Sequence, residues 1–98
     1  MNGRILVVED ESLVALDLSQ ALEEFGLEVV GTAESADDAL AIAEDAQPDL
    51  ALMDINIKGT INGIQTARIL LHDPFGVPAV FLTSYSDDKT VEDRKSVV

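Results

Sequence analysis

No cysteine occurs among the 98 residues, so disulfides and thiolate metal sites are excluded. That absence fits a reducing compartment, and a cytoplasmic location is the expectation. Positive charge is scarce: 6 Lys and Arg stand against 19 Asp and Glu, for a net charge of −13. Such an excess repels phosphate backbones and anionic headgroups, so neither a nucleic-acid nor a membrane partner is expected. A cation site is the natural complement, although a solvated acidic surface gives the same composition. Long apolar runs are missing as well. Met1-Asn2-Gly3-Arg4 leads into a short apolar stretch that acids end, which is too short for a signal peptide or a membrane span. At 47% hydrophobic the chain can still bury a core, and its length suits a single domain over residues 1–98.

The apolar residues come in short blocks. Ile5-Leu6-Val7-Val8 has the β-branched character of a strand buried on both faces. Val14, Leu18, Ala21, Leu22 and Phe25 then repeat at helical spacing, and Gly26 is placed to stop that helix. Val29-Val30 suggests a second strand. Ser35 with Asp38 resembles a capping box for a second helix, whose inner face carries Ala36, Ala39, Leu40 and Ala43. Gln47-Pro48 breaks it, and Leu50-Ala51-Leu52-Met53 gives a third strand ending at Asp54. A polar stretch over 55–63 reads as a loop, Asn62 with Gln65 as the cap of a third helix through Leu71, and 72–76 as a turn. Ala79-Val80-Phe81-Leu82 is a fourth strand, and Ser86 is placed to cap a fourth helix over 87–94. Four strand–helix alternations with short connections predict right-handed βαβ units: an α/β fold with a doubly wound parallel sheet.

Ligands of open parallel sheets sit beyond the carboxyl ends of the strands. The first strand ends in Glu9-Asp10-Glu11, the third in Asp54 followed by Asn56, and the fourth in Thr83-Ser84. Carboxylates gathered there repel one another, and a hard divalent cation with oxygen ligands answers that; a small carboxylate set completed by water and phosphate oxygens has the character of a Mg²⁺ site. With its charge screened, an Asp can attack phosphorus and form an aspartyl phosphate. Each piece has a bland counterpart. A lone Asp ending a strand is ordinarily a solvated terminus, acids in a first helical turn complement the helix dipole, and Thr83 can simply close a strand. Only the combination carries weight.

Ile5-Leu6-Val7-Val8-Glu9-Asp10-Glu11, Leu52-Met53-Asp54-Ile55-Asn56 and Phe81-Leu82-Thr83-Ser84 together resemble three motifs of bacterial two-component receiver domains, and the likeness runs to about Asp88. The resemblance implies a flavodoxin-like receiver fold. It also implies that Glu9, Asp10, Asp54 and the Asn56 backbone carbonyl hold Mg²⁺, that Asp54 is the phosphoacceptor, and that Thr83 hydrogen-bonds the phosphoryl group. By the same likeness the donor is a phosphohistidine on a histidine kinase or histidine phosphotransfer protein, and the chain is a signalling module, not an enzyme.

Two features depart from the family pattern. The loop from Ile57 to Gly63 is extended and carries Lys58 where proline is common; Lys58 reads as a solvated loop charge. The likeness also stops after about four βα units, before a fifth strand and helix. The lysine and aromatic residue those would supply are then lacking, since Lys89 and Lys95 fall too early by position and Tyr85 reads as a loop residue. Inefficient phosphorylation is the expectation. His72, the only histidine, reads as incidental.

A homodimer is also expected. Without a fifth helix, the sheet face shared with the first helix, together with Leu13 and Leu16, lacks cover, and strand four offers an open edge. A fold-back of residues 89–98 is the competing possibility. Two other functions stay open: a degenerate receiver working by protein contacts alone, and a small phosphatase with an aspartyl nucleophile. The latter wants a second Asp two positions on, where the chain has Asn56.

Overall fold

The computed structural model describes residues 3–54, 57, 62–84 and 95–97. Strands β1 (Arg4–Val8), β2 (Glu28–Ala33), β3 (Leu50–Asp54) and β4 (Ala79–Ser84) alternate with helices α1 (Ser12–Glu24), α2 (Ala36–Ala46) and α3 (Gly63–Leu71), and a short β5 (Lys95–Val97) follows. The strands form one sheet in the order β2-β1-β3-β4-β5. The first four run parallel, as the alternation predicts.

Side-chain alternation splits the core between the two faces of the sheet. Leu6, Val8, Ala51 and Met53 point to the side packed by Ala36, Ala39 and Ala43 of α2 and Leu70 of α3. Ile5, Val7, Leu52 and Leu82 lie on the other side with Ala15, Leu18 and Leu22 of α1. The alanine face of α2 lets the helix come close to β2. A Cβ placed on Gly31 would lie 3.1 Å from Cγ2 of Ile42. Within β2 the register with β1 slips, Ile5 facing Val29 and Leu6 facing Gly31, so Val30 is the extra residue of a bulge.

Local signals explain the helix ends. Ser35 accepts the Asp38 amide at 3.3 Å, and Asn62 with Gln65 forms a full capping box on α3, both bonds at 3.0 Å. Gln47, with φ 51°, closes α2 in the left-handed conformation before Pro48. The first helix departs from its expected face. It ends at Glu24, so Phe25 occupies a turn and leaves the helical period; it is 83% exposed, not packed on the sheet, and Ala15 takes the buried place instead.

The carboxyl-terminal end also departs from expectation. The carboxyl half of β4 is not an open edge, because β5 pairs with it in antiparallel sense: Leu82 faces Val97, Thr83 faces Ser96, and Ser84 faces Lys95. The chain therefore adds a fifth strand, reversed in direction, close to the fold-back considered as a competitor to dimerisation. The expected fourth helix over 87–94 lies outside the described residues.

Candidate functional site

Glu9 is the first residue past β1, and its amide donates to the Ala33 carbonyl at 2.8 Å, tying it to the end of β2. Glu9 as a whole is 1% exposed, and its Oε1 accepts the backbone amide of Glu11 at 3.3 Å. That contact turns the chain toward α1, whose first bond runs from the Ala15 amide to the Glu11 carbonyl at 2.9 Å. Asp10 lies between them, half-buried. Asp54 ends β3 and is 6% exposed.

Because β1 and β3 are adjacent and parallel, their carboxyl ends arrive together. One carboxylate oxygen each of Glu9, Asp10 and Asp54 lies within 4.8 Å of the others. Three sequence-predicted residues thus converge on one point. At such separations each pair of full charges repels by about 3 kcal/mol in the effective dielectric of a protein surface. Holding two nearly buried acids there is expensive unless a cation compensates. The donor set, all oxygen and all anionic, fits a hard divalent ion that completes its shell with water, and so fits Mg²⁺.

Thr83 belongs to β4, in the strand beside the one that carries Asp54. Asn56, Lys58, Tyr85 and Lys89 lie outside the described residues. His72 is not without a partner: its ring Nδ1 donates to the Arg68 carbonyl at 2.7 Å, and its backbone carbonyl accepts the amides of Phe75 and Gly76. It closes the turn after α3, away from the acidic cluster. Sequence reasoning missed a cavity of about 250 Å³ beside Glu9, bounded by Ser12, Ala15, Ser19, Thr32 and Glu34. Its lining comes from α1 and from the end of β2, whose bulge no pattern in the sequence announced.

Comparison with known proteins gives a consistent result. Residues 5–97 match the family described as the response regulator receiver domain. The chain is 38% identical over 88 residues to the phyllosphere-induced regulator PhyR of Methylorubrum extorquens, covering 89% of this chain and 33% of that protein. It is 37% identical over 89 residues to the transcriptional regulatory protein PdtaR of Mycobacterium tuberculosis, covering 91% of this chain and 42% of PdtaR. The chain therefore spans well under half of these relatives. Among solved structures, the signal receiver domain of a modulated diguanylate cyclase from Desulfovibrio desulfuricans G20, described as an example of alternate folding, superposes with a TM-score of 0.80 at 37% identity, covering 89% of this chain and 69% of that one.

Proposed function

Since the chain belongs to the response regulator receiver family, we propose that this signalling module accepts a phosphoryl group on Asp54. The observation that supports this most is the convergence of Glu9, Asp10 and Asp54 within 4.8 Å at the carboxyl rim of the sheet. In this reading a carboxylate oxygen of Asp54 attacks the phosphorus of a phosphohistidine on a histidine kinase or phosphotransfer protein. A phosphorus–oxygen bond forms, the phosphorus–nitrogen bond breaks, and the departing imidazole nitrogen takes a proton from solvent. Glu9, Asp10, Asp54 and the Asn56 backbone carbonyl would hold Mg²⁺, whose charge offsets that of the carboxylates and the incoming phosphoryl oxygens. Glu9 holds the geometry through its bond from Glu11, and the family likeness assigns Thr83 a hydrogen bond to the phosphoryl group.

The test is direct. The protein is incubated with Mg²⁺ and acetyl phosphate, which releases acetate in place of imidazole, and its mass is followed. The expected result is a single base-labile phosphoryl adduct on Asp54, absent from Asp54→Asn. An equal adduct on Asp54→Asn refutes the assignment.

A second reading rests on α1. Leu13 is 77% exposed and Leu16 53% exposed, one helical turn apart on α1. This apolar surface supports contact with another protein, and we place a homodimer interface there. The β4 edge is the weaker candidate, since β5 pairs with its carboxyl half. Among the described residues no helix is long and apolar enough to cross a membrane, which is compatible with the proposed cytoplasmic location.

A further inference from the structure

Asn62 caps α3, and it also stands directly before a glycine. In an Asn-Gly pair the chain readily attacks itself. The side-chain amide carbon of the asparagine is an electrophile, and the backbone nitrogen of the next residue reaches it by closing a five-membered ring. Glycine has no side chain to hinder that approach.

Whether the ring closes depends on how the two groups are held. Oδ1 of Asn62 accepts the Gln65 amide at 3.0 Å, and the Asn62 amide donates to Oε1 of Gln65 at 3.0 Å. The Asn62 carbonyl accepts the amide of Thr66 at 3.0 Å and its hydroxyl at 2.8 Å. Thr66 is fully buried, so these bonds tie the cap to the core. The Gly63 amide stands apart. As the first residue of α3 it has no carbonyl within its own helix to donate to. Asn62 is exposed to water while Gly63 is buried, which keeps base from that nitrogen as long as the first turn stays folded. The capping box therefore holds the electrophile on Gln65, and burial shields the nucleophile beside it.

We propose that Asn62-Gly63 is a self-modification site that the α3 capping box holds shut. When the box opens, the Gly63 nitrogen bonds to Cγ of Asn62. The side-chain nitrogen leaves as ammonia, taking the Gly63 amide proton, and a succinimide remains. One water then opens the ring at either carbonyl, giving aspartate or isoaspartate. The aspartate keeps an oxygen for the Gln65 amide and adds negative charge at the positive end of the helix, so it caps α3 at least as well. The isoaspartate lengthens the main chain by one carbon ahead of Gly63 and breaks the box. None of this depends on phosphorylation of Asp54.

The test follows the whole chain in mildly alkaline buffer by peptide mapping, which separates aspartate from isoaspartate at position 62. Native wild type should convert at least tenfold more slowly than the same chain in urea. Gln65→Ala, which removes half of the box, should convert several-fold faster than native wild type. Gln65→Glu keeps an acceptor for the Asn62 amide and should stay near wild type, as should Gly31→Ala, which loosens the fold elsewhere. Asn62→Asp should melt at or above the wild-type temperature and Asn62→Ala below it. Equal rates in native and urea-treated wild type overturn the proposal, as does a wild-type rate in Gln65→Ala. A rise in Gly31→Ala equal to that in Gln65→Ala assigns the opening to the whole fold and removes the box as the gate. Asn62→Asp melting below wild type overturns the capping role of the aspartate product. No conversion at position 62 even in urea removes the site altogether.

Discussion

Arg4 and Asp49 hold each other at the amino end of the sheet: the Arg4 amide donates to Oδ2 of Asp49 at 2.9 Å, and the Asp49 amide returns a bond to the Arg4 carbonyl at 2.7 Å. The same arginine extends its Nη1 to the carbonyls of Ala46 and Gln47, and its Nε lies 3.8 Å from Oε1 of Glu28. The guanidinium thus serves the exposed carbonyls at the end of α2, where a positive charge also meets the negative end of the helix dipole. Arg4→Ala should cost about 1 kcal/mol of stability, measured by urea denaturation, because both effects are lost. Adduct formation on Asp54 should be unchanged, since the contact lies at the opposite end of the strands.

Gly31 offers a second test of packing. Its neighbour Ile42 leaves 3.1 Å for a new Cβ, tighter than relaxed contact. Gly31→Ala should lower stability by about 1 kcal/mol, the smaller end of overpacking costs, since Ile42 is only half-buried and yields in part. Combining it with Ile42→Val should cost less than the sum of the two single changes. Strict additivity in denaturation free energies would show that the two do not meet.

The acidic cluster also bears on stability. One carboxylate oxygen each of Glu9, Asp10 and Asp54 lies within 4.8 Å of the others, and their mutual repulsion opposes folding. Asp54→Asn removes one charge, so in Mg²⁺-free buffer it should raise the melting temperature by a few degrees, equivalent to about 1 kcal/mol or more. Adding Mg²⁺ should raise the wild-type melting temperature and move the variant much less. Equal Mg²⁺-induced shifts in both proteins would remove Asp54 from the ion's ligands.

Self-association through α1 is checked by sedimentation. Leu13 and Leu16 leave a substantial apolar patch on one helix surface, and covering it at roughly 25 cal/mol per Å² favours association. The wild-type chain should sediment as a dimer at micromolar concentration, and Leu13→Asp with Leu16→Asp as a monomer. A wild-type monomer across that range removes this interface.

Much of this was legible in the residues. Blocks such as Ile5–Val8 and Leu50–Met53 announce buried parallel strands, and the acids that end them announce the cluster, because a parallel sheet brings its strand ends to one rim. The caps at Ser35 and Asn62 were readable because side chain and backbone spacing fix them locally. Three things were hidden. The placement of Phe25 turns on where α1 stops, which a periodic pattern does not mark. The carbonyl partners of Arg4 are 42 and 43 residues away. The direction of β5 depends on which edge three residues find, and Lys-Ser-Val reads the same either way.

That direction bears on how the sheet is assembled. A parallel neighbour for β4 requires the chain to travel the length of the sheet and return before its first bond forms. A reversed strand begins pairing where β4 ends, with Lys95 against Ser84. Contacts of short sequence separation have lower closure entropy and form faster. Docking of β5 therefore belongs to the local, rapid part of folding, and the carboxyl half of β4 gains its outer partner without waiting for a long crossover. Its amino half, Ala79–Phe81, faces no β5 residue among those described, so amide exchange should be slower at the carboxyl end of this strand than at the end where it begins.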